Sequence, residues 1–431
     1  MLSVIGGYYR ENCLEPIWDE AYGSGVRSAY AISSILSAST GQSKVHLHTW
    51  ASTAEQKGLR LQAQTFGVGL TVHDRKDAIQ FQYDYGLAQP RLYPPLKDIQ
   101  RLEERHIEAE NAVVFGLVED TTSLDDRLKV TVHAKAALVY DPQAERNARP
   151  WCETGHHCSR LAIVANQKEA EAMALRLNLQ LTPKIPLPQA LAQALLVREQ
   201  AEVVVVKNGA EGAFVAVAGD VQHIPSYKTT KVFPIGSGDI FTAVFAAYWA
   251  ELGIDPVLSA QRASVAAAIH SERKLLPIPV DLDSVQKALI PLKPSKSRSK
   301  EEQPHVYIAG PLFTFPQRWF IGEVLMRLSE QGVKPFSPYH EVGTGKSSEQ
   351  IVREDLAGLD ASKAVFAILD GLDSGTLYEI GYAVAKGIPV VGFRQTASDR
   401  DLTMLLGSPL CRVYDDLPSA IYHAAWTALE K

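Results

Sequence analysis

The sequence predicts an α/β protein of two domains, each a mostly parallel sheet with helices on both faces. Three observations carry the prediction. Short apolar runs that stop at polar or turn residues alternate with helical stretches along residues 1–290, which is how strands joined by helical crossovers read. The same alternation restarts near residue 304 and runs to residue 431. Between them Lys293 to Pro304, KPSKSRSKEEQP, holds no large apolar side chain. Residues 291–303 therefore read as a solvated linker, and the segments on either side must each bury a core of their own. The basic residues of that stretch, Lys293, Lys296, Arg298 and Lys300, fit a solubilising tether better than a docking patch.

The totals agree with this organisation. A chain of 431 residues exceeds one ordinary core, since domains average about 150 residues. A net charge of -6 argues against a general affinity for nucleic acid backbone or anionic membrane, and leaves small soluble ligands as the expected partners. The four cysteines, Cys13, Cys152, Cys158 and Cys411, are too few and too scattered for a disulfide framework. No apolar run approaches a membrane span, and the first residues lack a basic region followed by a long apolar one, so a reducing cytoplasm is expected.

In chain order, SVIGG is a short strand running into a turn. VHLHTWAS, NAVVFGL, AALVYDP, LAIVAN and AEVVVVKNG are further strands, with helices at Lys168 to Leu177 and Pro188 to Gln200. Leu61 to Tyr93 alternates in TFGVGLTVHD and DAIQFQYDYG and reads as antiparallel hairpins that would form a lid. Pro234 to Trp249, PIGSGDIFTAVFAAYW, carries the chemistry of this domain. Gly236, Ser237 and Gly238 can turn their N–H groups toward an anion, and the following helix adds its positive end. Asp239 in the first turn is placed to take a hydroxyl proton during phosphoryl transfer. The plain alternative is a glycine turn before a helix. WCETGHHC, with Cys152, His156, His157 and Cys158, fits no standard zinc spacing, and GTGKSS from Gly343 lacks the earlier glycine of a phosphate loop; no metal ligands are assigned.

The second domain centres on Ala364 to Ala385, AVFAILDGLDSGTLYEIGYAVA. Ala364 to Leu369 reads as a strand buried on both faces, ending at Asp370, with Gly371 and Gly375 bracketing a tight loop. A helix beginning near Thr376 would carry Glu379 in its first turn, where the helix dipole favours the ionised carboxylate that a nucleophile needs. Asp373 and Glu379 then share the carboxyl edge of a sheet, where open α/β folds bind ligands. Further strands are expected at HVYIAG, VKPFSP and IPVVGF, and a last helix from Ser419. That helix has an apolar face of Ile421, Ala424, Ala425 and Ala428, and a second face with Tyr422 and Trp426 that is left for another subunit.

The pattern Asp373, Gly375, Thr376, Glu379, Gly381, with Tyr307 in the opening strand and Asp355 in REDLAGLDAS, resembles the signature of nucleoside 2-deoxyribosyltransferases and related nucleotide N-glycosidases. The resemblance implies a flavodoxin-like fold and sites completed by a neighbouring subunit, hence a homo-oligomer. It implies Glu379 as nucleophile toward C1′, Asp373 as the proton donor to the departing base, Asp355 as its helper, and Tyr307 as the group that holds Glu379. No cofactor is expected there. The first domain resembles the PfkB (ribokinase-like) sugar and nucleoside kinases, which implies a three-layer α/β fold using ATP and Mg2+. The matching residues are Gly236, Ser237, Gly238 and Asp239; Asn166 and Glu169 of an N-x-x-E element; Lys207, Gly209 and Gly212 in the nucleotide-side turn; Tyr140–Asp141–Pro142; and GSGVRSA from Gly23. Four positions depart from that family. Phe233 and Pro234 stand for Asp and Thr, Glu11 for the sugar-binding Asp, and Arg27 for Asn. Together the resemblances imply a bifunctional enzyme of nucleoside, nucleotide or pentose metabolism, or an effector in which the first domain senses a ligand and the second depletes nucleotides or NAD.

Overall fold

The computed structural model describes all residues except 42–43, 121–126, 183–184, 275, 280, 295–302, 342, 344 and 431, and the side chain of 146. Most of the expected linker, with Lys296, Arg298 and Lys300, lies outside the described residues, as does part of the GTGKSS stretch. The chain divides into two compact units. One comprises Met1–Asn208, Gly212–Thr229 and Phe233–Pro291, the other Leu292–Lys431 with the short segments Gly209–Glu211 and Thr230–Val232.

The first unit is built on a ten-stranded sheet. Its order is Asp220–Pro225, Gly212–Val217, Val203–Asn208, His157–Asn166, Val130–Asp141, Asn111–Phe115, Leu2–Ile5, Val45–Ala51, Gly69–Asp74, with Arg105–Ala109 paired to the start of the long Val130–Asp141 strand. All neighbours are parallel except the last two additions at the Asp220 edge. Because side chains alternate across a strand, the apolar runs feed two cores at once. Val203 and Val205 pack with Ile240, Val244 and Val265 on one face, and Val204 and Val206 with Met173, Leu191 and Leu195 on the other. The helices Gly23–Thr40, Ser237–Ala246 and Pro256–Arg273 therefore cover one face, and Gln167–Arg176 and Leu187–Arg198 the other, giving three layers.

The region 61–93 corrects the sequence reading in part. Residues 61–65 end the helix Thr53–Thr65, and Gly69–Asp74 is a parallel edge strand of the main sheet, paired with Val45–Ala51. An edge strand with one wet face alternates just as a hairpin strand does, so the pattern could not separate them. Gln80–Tyr83 and Arg91–Tyr93 do belong to a separate small sheet, where they join Arg10–Cys13 and Trp18–Ala21.

The second unit has a five-stranded sheet in the order Lys334–Phe336, His305–Ala309, Ala364–Ile368, Val390–Phe393, Cys411–Tyr414, parallel throughout. In order of strand sequence this is 2-1-3-4-5, so the chain reverses direction across the sheet between the His305 and Ala364 strands, and their carboxyl ends open a crevice there. Cys411–Tyr414 was not anticipated; CRVY is too short and too polar to stand out from the loop before it. The last helix, Leu417–Leu429, buries Ile421, Ala424 and Ala428, but Trp426 is also only 3 % exposed within the single chain.

Candidate active sites

In the second unit the crevice holds a cluster of acids. Tyr307, fully buried in the strand His305–Ala309, donates its hydroxyl to Glu379 Oε1 at 2.6 Å. Glu379 comes from the helix Ser374–Ala385, which starts two residues earlier than expected and has no acidic residue in its first turn. Glu379 is therefore a second-turn residue, and the dipole at the helix start does not hold it ionised as the sequence reading supposed. Burial pushes its pKa up to about 7; the Tyr307 hydrogen bond works against that, and Asp355 and Asp373 add to it. The Tyr307 phenol is itself raised, by burial and then by the charge of Glu379.

The two aspartates are placed differently. Asp373 is the N-cap of the Glu379 helix, and its Oδ2 accepts the Thr376 N–H at 2.9 Å and the Thr376 hydroxyl at 3.1 Å. Asp355, on the helix Ser348–Asp360, is raised by burial and then by Glu354, and its Oδ1 is buried without a hydrogen-bond partner. Space does not explain Gly381, since nothing lies within 4 Å of a Cβ built there.

A further acid escaped sequence reasoning as a functional candidate. Asp370, at the end of the central strand, accepts the N–H groups of Gln395 at 2.8 Å, Thr396 at 2.7 Å and Ala397 at 3.0 Å, and the Thr396 hydroxyl at 2.8 Å. Burial opposes its charge, but the Thr396 hydrogen bonds and then those of Gln395 and Ala397 hold it below the usual carboxylate range. It fixes the loop that follows the neighbouring strand Val390–Phe393. The available signal was a lone acid closing an apolar run. Asp370→Ala is expected to lower the melting temperature by a few degrees at pH 7, because it orphans those donors. A pKa depressed by folding adds stability above the unfolded value of 3.8 that is lost as pH falls through the folded one, so wild type and variant should converge in acid. Calorimetry at pH 7 and pH 3 checks both points.

In the first unit Gly236 is the N-cap of Ser237–Ala246 with φ 79, and Asp239 lies in the first turn. A Cβ on Gly236 would stand 2.3 Å from Arg27 Nε, so both the backbone sign and the close approach require glycine. The anion cradle is less free than the sequence suggests. The Ser237 N–H and hydroxyl both turn back to Pro234 O, at 3.0 and 2.7 Å. Asp239 accepts Arg27 Nη1 on Oδ2 at 2.7 Å and Gln143 Nε2 on Oδ1 at 2.9 Å. Arg27 Nη2 donates in turn to Glu11, and the Arg27 side chain is only 1 % exposed. Burial raises the Asp239 pKa, with Arg27 opposing. Phe233, where an aspartate was expected, is buried against Trp18 at 5.2 Å between ring centres.

The nucleotide-side residues also have internal partners. Lys207 Nζ donates to Asp141 Oδ2 at 2.9 Å and to Thr242 Oγ1 at 3.3 Å, and lies 3.6 Å from where a Cβ on Gly238 would be. Asn166 and Glu169 form a capping box at the start of Gln167–Arg176, through bonds of 2.9 and 2.8 Å. Glu169 is 4 % exposed, and burial, then the charge of Asp141, pushes its pKa up to about 8. Gly209 and Gly212 have φ 49 and 113 in the turn between the Val203–Asn208 and Gly212–Val217 strands. Among the described residues no three His, Cys, Asp or Glu side chains stand together as metal ligands, and no helix is long and apolar enough to cross a membrane.

Comparison with known families covers both segments. Residues 116–279 match the model of the pfkB family carbohydrate kinases, and residues 306–406 that of nucleoside 2-deoxyribosyltransferase, so both resemblances drawn from the motifs are shown. A search of curated proteins returns no match. Among solved structures, the chain is similar to ribokinase from Thermotoga maritima, with 19% identity, 67% of this chain and 99% of that one covered, and a TM-score of 0.46. Phosphofructokinase-2 from Escherichia coli, in complex with substrates and products, gives 14%, 66%, 97% and 0.46. The Burkholderia thailandensis nucleoside kinase, in complex with inosine, gives 14%, 67%, 98% and 0.46.

Proposed function

We propose that the second domain breaks the N-glycosidic bond of a (deoxy)nucleoside or its 5′-phosphate, passing the sugar to another base or to water. The observation that carries this is Glu379, half-buried in the crevice and held by the Tyr307 hydroxyl at 2.6 Å, with a second carboxyl at Asp355. The bond breaks through an oxocarbenium-like transition state. The ionised Glu379 stabilises that cation and bonds to C1′ as the C1′–N bond gives its electron pair to the base. The base leaves more readily if protonated. Of the two aspartates, Asp355 is the better donor, because Asp373 is engaged as a helix cap while Asp355 has a raised pKa and an unpartnered oxygen. Attack by a base or by water on the sugar ester then frees Glu379.

The test is incubation of the intact protein with panels of nucleosides, 5′-nucleotides and NAD, with products identified by mass spectrometry; absence of base release from every member would refute the reading. Tyr307→Phe removes the bond that holds the Glu379 pKa down. The rising limb of kcat/KM, near pH 7 in the wild type, is expected to move to higher pH in that variant, with a loss of about tenfold at neutrality. An unmoved limb would separate Tyr307 from the titration. Static light scattering of the intact protein tests the homo-oligomer that the family likeness implies.

For the first domain two roles accompany this chemistry. It phosphorylates a nucleoside or pentose in sequence with bond cleavage, or it senses a ligand that controls the second domain. The buried ion pair of Arg27 with Asp239 favours the second role. The residues do not fit phosphoryl transfer from ATP and Mg2+ as placed. Ser237 N–H is turned inward, Glu169 caps a helix with a pKa near 8, and Asp239 faces a resident cation. No step is derived through ATP.

A further inference from the structure

We propose that the first domain is a binding domain incapable of phosphoryl transfer, and that Arg27 disables it by standing at Asp239 where an acceptor hydroxyl would have to stand. The inference deepens the ligand-sensing reading and rests on it. In the transfer a hydroxyl oxygen forms its bond to the γ-phosphorus, the bond to the departing diphosphate breaks, and the hydroxyl proton goes to a carboxylate. That carboxylate must face the acceptor and must be able to take up the proton. Asp239 does not meet the first condition. Its Oδ2 is 2.7 Å from Arg27 Nη1 and its Oδ1 is 2.9 Å from Gln143 Nε2.

The partner cannot be removed by titration, because a guanidinium does not lose its proton in proteins. It is shared by Glu11 and Asp239 in a place where the Arg27, Glu11 and Asp239 side chains are 1, 7 and 12 % exposed, and removing the cation would leave two buried acids without a partner. Nor can Arg27 swing out at little cost. Its Nε packs against Gly236, and its Nη1 also contacts Gly23 O at 3.4 Å, so the side chain is wedged between two glycine segments. Glu11 comes from the small sheet, on the strand Arg10–Cys13, so the same triad ties that sheet to the body of the domain.

Arg27→Met, which deletes the cation and leaves two acids facing each other, is expected to lower the melting temperature by about 5 °C or more, the effect of breaking a buried ion pair from one side. The intact wild type is assayed in parallel for acceptor-dependent ADP formation with nucleosides, pentoses and hexoses in MgATP, and expected to show none. Turnover near the ordinary enzyme range, about 1 s⁻¹, or an Arg27→Met variant as stable as wild type, overturns the proposal. Thermal shifts of the wild type with the same nucleosides, sugars and MgATP address the sensing reading separately. A protein with no ADP formation and no shift with any of these ligands would overturn the binding role, and the sensing reading with it.

Discussion

Glu379→Gln is expected to release no base from any nucleoside that the wild type cleaves, a fall of about a thousandfold or more, and to melt at a higher temperature at pH 8. The two results have one cause. In the folded protein the Glu379 pKa is about 7, against 4.5 once unfolded, chiefly because the carboxylate is taken from water. An acid whose pKa is raised by folding costs stability as it ionises. That cost is absent below about pH 4.5 and fully present above about pH 7. Gln keeps the shape without the charge, so its thermal advantage should open across that window and vanish in acid. Calorimetry at pH 4 and pH 8, beside a base-release assay, reads both. A variant that is inactive yet equally destabilised at both pH values would point to a packing role for Glu379 instead.

Asp355→Asn is expected to slow release of ordinary bases by about a hundredfold to ten-thousandfold, with a much smaller loss for an N7-methylated purine nucleoside, whose base departs without needing a proton. A general acid is dispensable when the leaving group is already cationic. Asp373→Asn is the control. Asn caps a helix about as well as Asp, so the Glu379 helix keeps its start while the carboxyl is lost. If Asp373→Asn shows the leaving-group dependence and Asp355→Asn does not, the acid is Asp373, the order that the sequence alone suggested.

Much of this was legible from residues because strands buried on both faces announce themselves. Val203 to Val206 and Ala364 to Ile368 have no alternation to misread, and their polar ends mark the carboxyl edge where the acids gather. What failed was local phase. Gly69–Asp74 alternates because it is the edge of a parallel sheet, and a two-residue shift in one helix start moved Glu379 out of the first turn. Pairings distant in sequence were invisible. Arg27 and Asp239 are 212 residues apart, Tyr307 and Glu379 72, and nothing in either segment names its partner. The substitutions at Glu11 and Arg27 were visible singly. Only in three dimensions do they form one chain of charge.

The Asp370 contacts bear on how this edge of the sheet can meet an anion. Three successive backbone N–H groups, those of Gln395, Thr396 and Ala397, form the sort of concavity in which proteins seat oxyanions. Here the seat is taken by a carboxylate of the chain itself. An oxyanion arriving at these three N–H groups would have to displace Asp370 first, so the loop holds its own anion in place of a ligand's.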